Sequence, residues 1–152
     1  MHRLVLVAPR ARQASVDLKR PATLLAALGQ GRLAVGQTAT VPAGKYARAS
    51  LESLSLWYGV KAPQAQSENV RAAMMLVARG ETPLGIVYAS DAKAEPAVRV
   101  LATFPEDSHP PIVYPVAALR GPRTARATPF VQWLASPAAD TIFARHGFTV
   151  KD

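Results

Sequence analysis

The sequence predicts an α/β fold with a mostly parallel sheet flanked by helices. Three observations predict it. The short apolar runs LVLV (4–7), LAVGQ (33–37) and LGIVY (84–88) have the look of strands covered on both faces. Stretches with helical start and stop signals lie between them, and this alternation favours parallel strands joined by crossover helices. Thirteen prolines in 152 residues keep every element short.

In chain order, residues 4–7 form the first strand and 9–17 a polar loop. Pro21 opens a helix with its fixed φ, Ala22 to Leu28 continue it, and Gly29 and Gly31 end it. Strand 33–37 follows. The stretch TVPAG then opens a helix to about Leu54, with Ala47, Leu51 and Leu54 on one face. Residues 61–66 suit a short strand. Ser67 is placed to cap a helix from Glu68 to Arg79, with Gly80 just past its end. Val70, Ala73, Met74 and Val77 give that helix an apolar stripe. Strands at 84–88 and 98–104 follow, with the Ser90-Asp91-Ala92 segment read as a turn. Residues 109–119 are extended and proline-rich. A helix within 124–135 and another from Ser136-Pro137 to Gly147 close the chain.

Composition narrows the function. The absence of cysteine excludes disulfides, thiolate metal sites and a cysteine nucleophile. The net charge of +8 favours anionic partners, but the 18 Lys and Arg are dispersed and not interleaved with aromatics. That pattern describes a solvated basic surface, and no nucleic-acid partner is expected. The apolar stretch Leu4–Ala8 is too short for a signal-peptide core or a membrane span.

Catalytic constellations are weak. Ser90, Asp91, His109 and His146 supply triad residue types without a G-x-S-x-G elbow. His2, His109 and His146 lack metal-ligand spacing. Glu106-Asp107 sits in a proline-flanked loop and suits solvent. No enzymatic activity, cofactor or metal is expected.

The binding signal is better. Open α/β sheets bind ligands beyond the carboxyl ends of their strands, beside helix N-termini. Three places qualify: the start at Val41-Pro42-Ala43-Gly44, the start at Ser67-Glu68-Asn69-Val70, and Tyr88 at the end of its strand. The first has no good side-chain cap, so its free N–H groups suit an outside anion. Two such helix ends and a tyrosine hydroxyl would form an oxyanion site without Lys or Arg. The alternative is that both are ordinary helix starts and Tyr88 belongs to the core.

Five segments, VPAGKYAR, SENVRAAMMLVARGE, TPLGIVYASDA, FPEDSHPPIVYPVA and SPAADTIFARHGFTV, resemble in order the molybdate-binding protein of bacterial ABC uptake systems. The resemblance runs over almost the whole chain. It implies a two-lobed periplasmic-binding-protein fold that holds molybdate or tungstate in the cleft by neutral hydrogen bonds. The implied contacts are the backbone N–H groups of Ala43 and Val70 and the Tyr88 hydroxyl. It also implies an ABC transporter permease as partner and a periplasmic location.

Against that family the chain departs at its start, where a signal peptide and a first lobe with serine-bearing loops would stand. The expectation is an N-terminally truncated member, cytoplasmic if expressed as written. Residues 1–8 would be a crossing strand, 9–108 a complete second lobe, 109–119 a returning crossover strand, and 120–152 the C-terminal helices of the incomplete first lobe. The lead-in GQTAT (36–40) to TVPAG and the pair Tyr58-Gly59 also depart from the family pattern. Half a cage implies weakened binding. Phe130, Trp133, Leu134, Ile142 and Phe143 would then lack a lobe to pack on and would pack on their own lobe or drive self-association. The alternative function is a non-binding lobe acting as an oligomeric structural or interaction protein.

Overall fold

A computed structural model describes residues 1–150. Five strands form one sheet: β1 (Leu4–Pro9), β2 (Leu33–Gly36), β3 (Gln64–Ser67), β4 (Leu84–Tyr88) and β5 (Val98–Thr103), in the spatial order β3-β2-β4-β1-β5. The helices are α1 (Pro21–Leu28), α2 (Pro42–Ser53), α3 (Trp57–Val60), α4 (Val70–Ala78), α5 (Ala89–Ala94), α6 (Thr124–Trp133) and α7 (Pro137–Arg145). A 3₁₀ turn occupies Glu106–Ser108.

The sheet is mixed. β2 pairs in parallel with β3 and β4. β1 runs antiparallel to both its neighbours, with Leu4 opposite Tyr88 and Val5 opposite Thr103. Four strands thus share a direction, as the sequence predicts, and β1 lies among them reversed. Strand period alone carries no direction, so its reversal was not readable.

Both sheet faces are covered. Leu4, Leu6, Leu33, Val35, Leu84 and Ile86 pack with α1, α2 and α3 on one face. Val5, Val7, Ala34 and Val87 pack with Ala73, Met74 and Val77 of α4 on the other. This explains why β1 and β4 have apolar residues at consecutive positions rather than at every second one.

Several local expectations shift. Ser67 ends β3, and Asn69 is the residue that caps α4, accepting from the Ala72 N–H at 2.8 Å. Gly80 adopts φ 74° past the end of that helix, as its position predicted. The Ser90-Asp91-Ala92 turn is the body of α5. Residues 110–119 run extended but join no strand, and the His2 N–H donates to the Ile112 carbonyl at 3.0 Å. Neither closing helix packs closely on the rest of the chain: α6 has no buried residue and α7 only Ala139.

Part of the basic charge serves the backbone. The Arg12 guanidinium donates to the carbonyls of Pro83 (3.0 Å) and Ala27, the latter in the last turn of α1. Arg99 donates to the carbonyls of Arg12 and Ala14, at 2.8 Å to each. These bonds gather the loops at the end of the sheet where β2 and β4 begin. The ion pairs Arg3–Glu106 and Arg48–Glu52 are half exposed, so each contributes at most about 1 kcal/mol and the buried core dominates stability.

The start of α2 is pressed onto the end of β2. A Cβ at Gly44 would lie 2.2 Å from the Gly36 carbonyl oxygen and 2.5 Å from that of Gln37. Both are backbone atoms, so relief requires moving the helix. Gly44→Ala is expected to lower stability by about 1–3 kcal/mol, read as a lower urea midpoint with an unchanged slope.

Candidate functional site

β2, β3 and β4 are adjacent and parallel, so their carboxyl ends share one edge of the sheet. The chain leaves β2 into α2, leaves β3 into α4, and ends β4 at Tyr88. Ala43, Val70 and Tyr88, far apart in sequence, therefore line one cleft of about 430 Å³. Val41, Pro42, Tyr46, Asn69, Ile112, Val113 and Tyr114 complete its lining. None of these ten residues is charged.

The two helix starts at this cleft differ in how they are capped. α2 begins at Pro42, with Val41 as its N-cap and no side-chain cap. Proline has no N–H, so Ala43 carries the first N–H of the helix. At α4 the Asn69 side chain serves the Ala72 N–H and not that of Val70. Helix N-termini carry partial positive charge, worth about 0.3–1 kcal/mol to an exposed anion and up to about 2 kcal/mol when partly buried.

Tyr88 is 8% exposed. Burial is the main cause that pushes its phenol well above the ordinary tyrosine range, followed by the nearby Tyr114. It stays a protonated donor at any physiological pH. Its backbone N–H donates to Asp91 Oδ2 at 3.2 Å, which ties the end of β4 to the first turn of α5. Burial raises the Asp91 carboxyl, while the Tyr88 N–H and Arg71 act in the opposite sense.

Sequence reasoning missed His2, Tyr46 and Tyr114. The reversal of β1 brings His2 to the same edge, where its ring stacks on Tyr88 with centroids 4.7 Å apart and planes at 23°. His2 Nδ1 accepts from the Arg3 N–H at 3.0 Å, so Nε2 carries the proton and donates to Ser90 Oγ at 2.7 Å. Tyr46 lies edge-on to the buried His109, with centroids 5.9 Å apart. Its position one turn past Ala43 in α2 was the available signal. For His2 and Tyr114 the sequence offered none.

This is a lobe whose strand ends and helix starts meet at an uncharged cleft, the arrangement of a solute-binding protein. The chain belongs to the bacterial extracellular solute-binding protein family, whose pattern matches residues 1–149. It is 48% identical to the molybdate-binding protein ModA of Escherichia coli K12 over 151 residues. It is 43% identical to ModA of Haemophilus influenzae over 149. Each match takes in 97% of this chain but 58% of the relative, so the chain spans little more than half the length of these curated proteins. Among solved structures, it is similar to a substrate-binding domain attributed to a molybdenum ABC transporter of Clostridium difficile. The TM-score is 0.83 at 28% identity, over 99% of this chain and 64% of that one. The Azotobacter vinelandii periplasmic molybdate-binding protein shares the fold, with TM-score 0.71 at 23% identity, over 99% of this chain and 67% of that one.

Burial holds the His2 imidazole neutral, lowering its pKa from 6.5 to about 4. The unfolded chain therefore takes up a proton near pH 6.5 that the folded chain refuses until about pH 4. Stability is expected to fall as pH drops through that window, by about 1–2 kcal/mol from this residue. Urea unfolding at pH 7 and pH 4.5 should show the loss, and His2→Gln should flatten it.

Proposed function

We propose that this cleft binds a tetrahedral oxyanion of the molybdate or tungstate class, as part of a periplasmic ABC uptake system with a membrane permease as partner. The observation that carries the reading is the convergence of Ala43, Val70 and Tyr88 on one cleft without a charged side chain. The similarity to molybdate-binding relatives supports the choice of anion. In this reading the first two residues donate backbone N–H groups and Tyr88 its hydroxyl. The protein acts by binding and release rather than by catalysis. Residues 9–108 form the lobe that carries these donors, with 1–8 and 109–119 as crossing segments and 120–152 belonging to the other lobe.

The three donors lie on one wall. Two helix ends and one hydroxyl bonded to a charged oxygen contribute about 4 kcal/mol together, which corresponds to a dissociation constant on the order of 1 mM. Tighter binding requires donors from outside this wall. Calorimetric titration with sodium molybdate, with sulfate as control, should show weak saturable binding of molybdate by this chain. Tyr88→Phe should weaken it about tenfold or more, since a hydrogen bond to a charged group contributes roughly 1.5–3 kcal/mol. Equal affinity in the variant would remove Tyr88 from the site.

A second reading rests on the apolar side chains of the closing helices. Phe130 is 60% exposed, Trp133 44% and Ile142 45%, while Leu134 and Phe143 are half-buried. We infer that two copies of this chain cover these faces against each other, which would make it an oligomeric interaction module whether or not the cleft is filled. Light scattering of a concentrated sample should then give a mass above the monomer. Trp133→Glu combined with Ile142→Glu should return it to the monomer mass. A monomer at every concentration would refute this reading and leave the anion reading standing.

A further inference from the structure

Tyr88 lies against a ring that is itself pinned. Successive residues of β1 alternate between the sheet faces, and Leu4 and Leu6 share the face of Tyr88. Leu4 is the register partner of Tyr88, and His2, just before it on the same face, is the diagonal neighbour in the antiparallel pair. The imidazole is 3% exposed and stacks on the Tyr88 ring, with centroids 4.7 Å apart and planes at 23°. Its Nδ1 accepts from the Arg3 N–H at 3.0 Å, and its Nε2 donates to Ser90 Oγ at 2.7 Å. The His2 backbone N–H donates to the Ile112 carbonyl at 3.0 Å. Phe148 packs against the same imidazole, with centroids 4.4 Å apart and planes at 42°. Phe148 is held in turn by its neighbours. Thr149 donates its N–H to the Met1 carbonyl at 2.7 Å, and a Cβ at Gly147 would lie 3.0 Å from Ser90 Cα.

Resting on the reading that Tyr88 donates to a bound oxyanion, we propose that His2 is a positioning residue whose pinned imidazole holds the Tyr88 ring with its hydroxyl aimed into the cleft. A hydrogen bond weakens steeply when its donor turns away from the acceptor. The phenol stands at the far end of a rotatable side chain, on the last residue of a strand. Left loose, it would lose rotational freedom each time an anion bound, and that loss would subtract from the affinity. Stacked on a fixed plane, it has lost that freedom already. Bonds at both nitrogens stop the imidazole turning about its own axis, a restraint that a phenyl ring would lack. His2 does not line the cleft, so its effect on the anion passes through Tyr88.

The test is a double-mutant cycle on the full chain at neutral pH and constant ionic strength. Sodium molybdate is the titrant, and the amide NMR signals of Ala43 and Val70 report dissociation constants in the millimolar range. His2→Leu fills the buried space without a planar ring or a hydrogen bond. On the unsubstituted background it should weaken molybdate binding about fivefold. On the Tyr88→Phe background it should have no further effect, because the hydroxyl it acts through is gone. His2→Phe restores a flat ring and should recover the affinity to within about twofold of the unsubstituted chain. Thermal denaturation of each variant establishes that it is folded at the titration temperature. Should His2→Leu not fold, Ser90→Ala takes its place, since it unpins Nε2 at a half-buried site; its loss should likewise be present with Tyr88 and absent without it. Equal losses on both backgrounds would mean that His2 shapes the cleft without Tyr88, and would overturn the proposal. No loss on the unsubstituted background, or a His2→Phe variant as weak as His2→Leu, would overturn it too. If Tyr88→Phe binds as well as the unsubstituted chain, or if that chain binds no molybdate, the anion reading at Tyr88 fails and this proposal fails with it. Binding that is weakened by Tyr88→Phe but indifferent to His2→Leu rejects the positioning role alone.

Discussion

The site depends on how closely α2 approaches the end of β2. Gly44 stands against the carbonyls of Gly36 and Gln37 with no room for a Cβ. This contact sets where the helix begins relative to the sheet edge, and hence where the first free N–H group points. β3 and β4 flank β2 in register, Leu33 lying opposite both Gln64 and Leu84. The ends of all three strands are therefore fixed relative to one another by ladder hydrogen bonds. The helix start at Val70 and the phenol of Tyr88 inherit that precision. Functional groups borne by strand ends and first helical turns are held more firmly than groups on loops, because the backbone that carries them is already bonded.

Much of this was legible in the sequence, and the parts that were not have identifiable causes. Pro21, Pro42 and Ser136-Pro137 marked helix starts because proline at a first helical position restricts the chain to one solution. Ala43, Val70 and Tyr88 could be placed near one edge because parallel strands must end on the same side. The cap of α4 went to Ser67 rather than Asn69 because both are good caps, and strand β3 extends far enough to consume the first. His2 was invisible for a different reason. Its role depends on β1 running against its neighbours, and no local pattern encodes the direction of a short strand buried on both faces. Tyr114 sits in a segment with no periodicity at all, so only the tertiary path brings it to Tyr88.

The chain carries a net charge of +8 and yet lines its cleft with neutral groups. Arg12 and Arg99 are held by carbonyls at the other end of the sheet, and Arg48 is paired with Glu52 on the surface. The separation has a physical consequence for an anion seated in the cleft. A full positive charge in contact would attract any anion in rough proportion to its charge and with little regard to its shape. Fixed N–H and O–H dipoles act over shorter distances, and their benefit falls away when the acceptor oxygen is displaced. Selection then rests on the spacing of oxygens around a central atom, which the rigid strand ends measure directly. The same dipoles make contact binding insensitive to salt, whereas the dispersed surface charge that draws anions toward the protein is screened beyond about 10 Å at 0.1 M ionic strength. On the proposed anion reading, capture and recognition fall to different groups: the basic surface would raise the local anion concentration, and the neutral cleft would decide which anion stays.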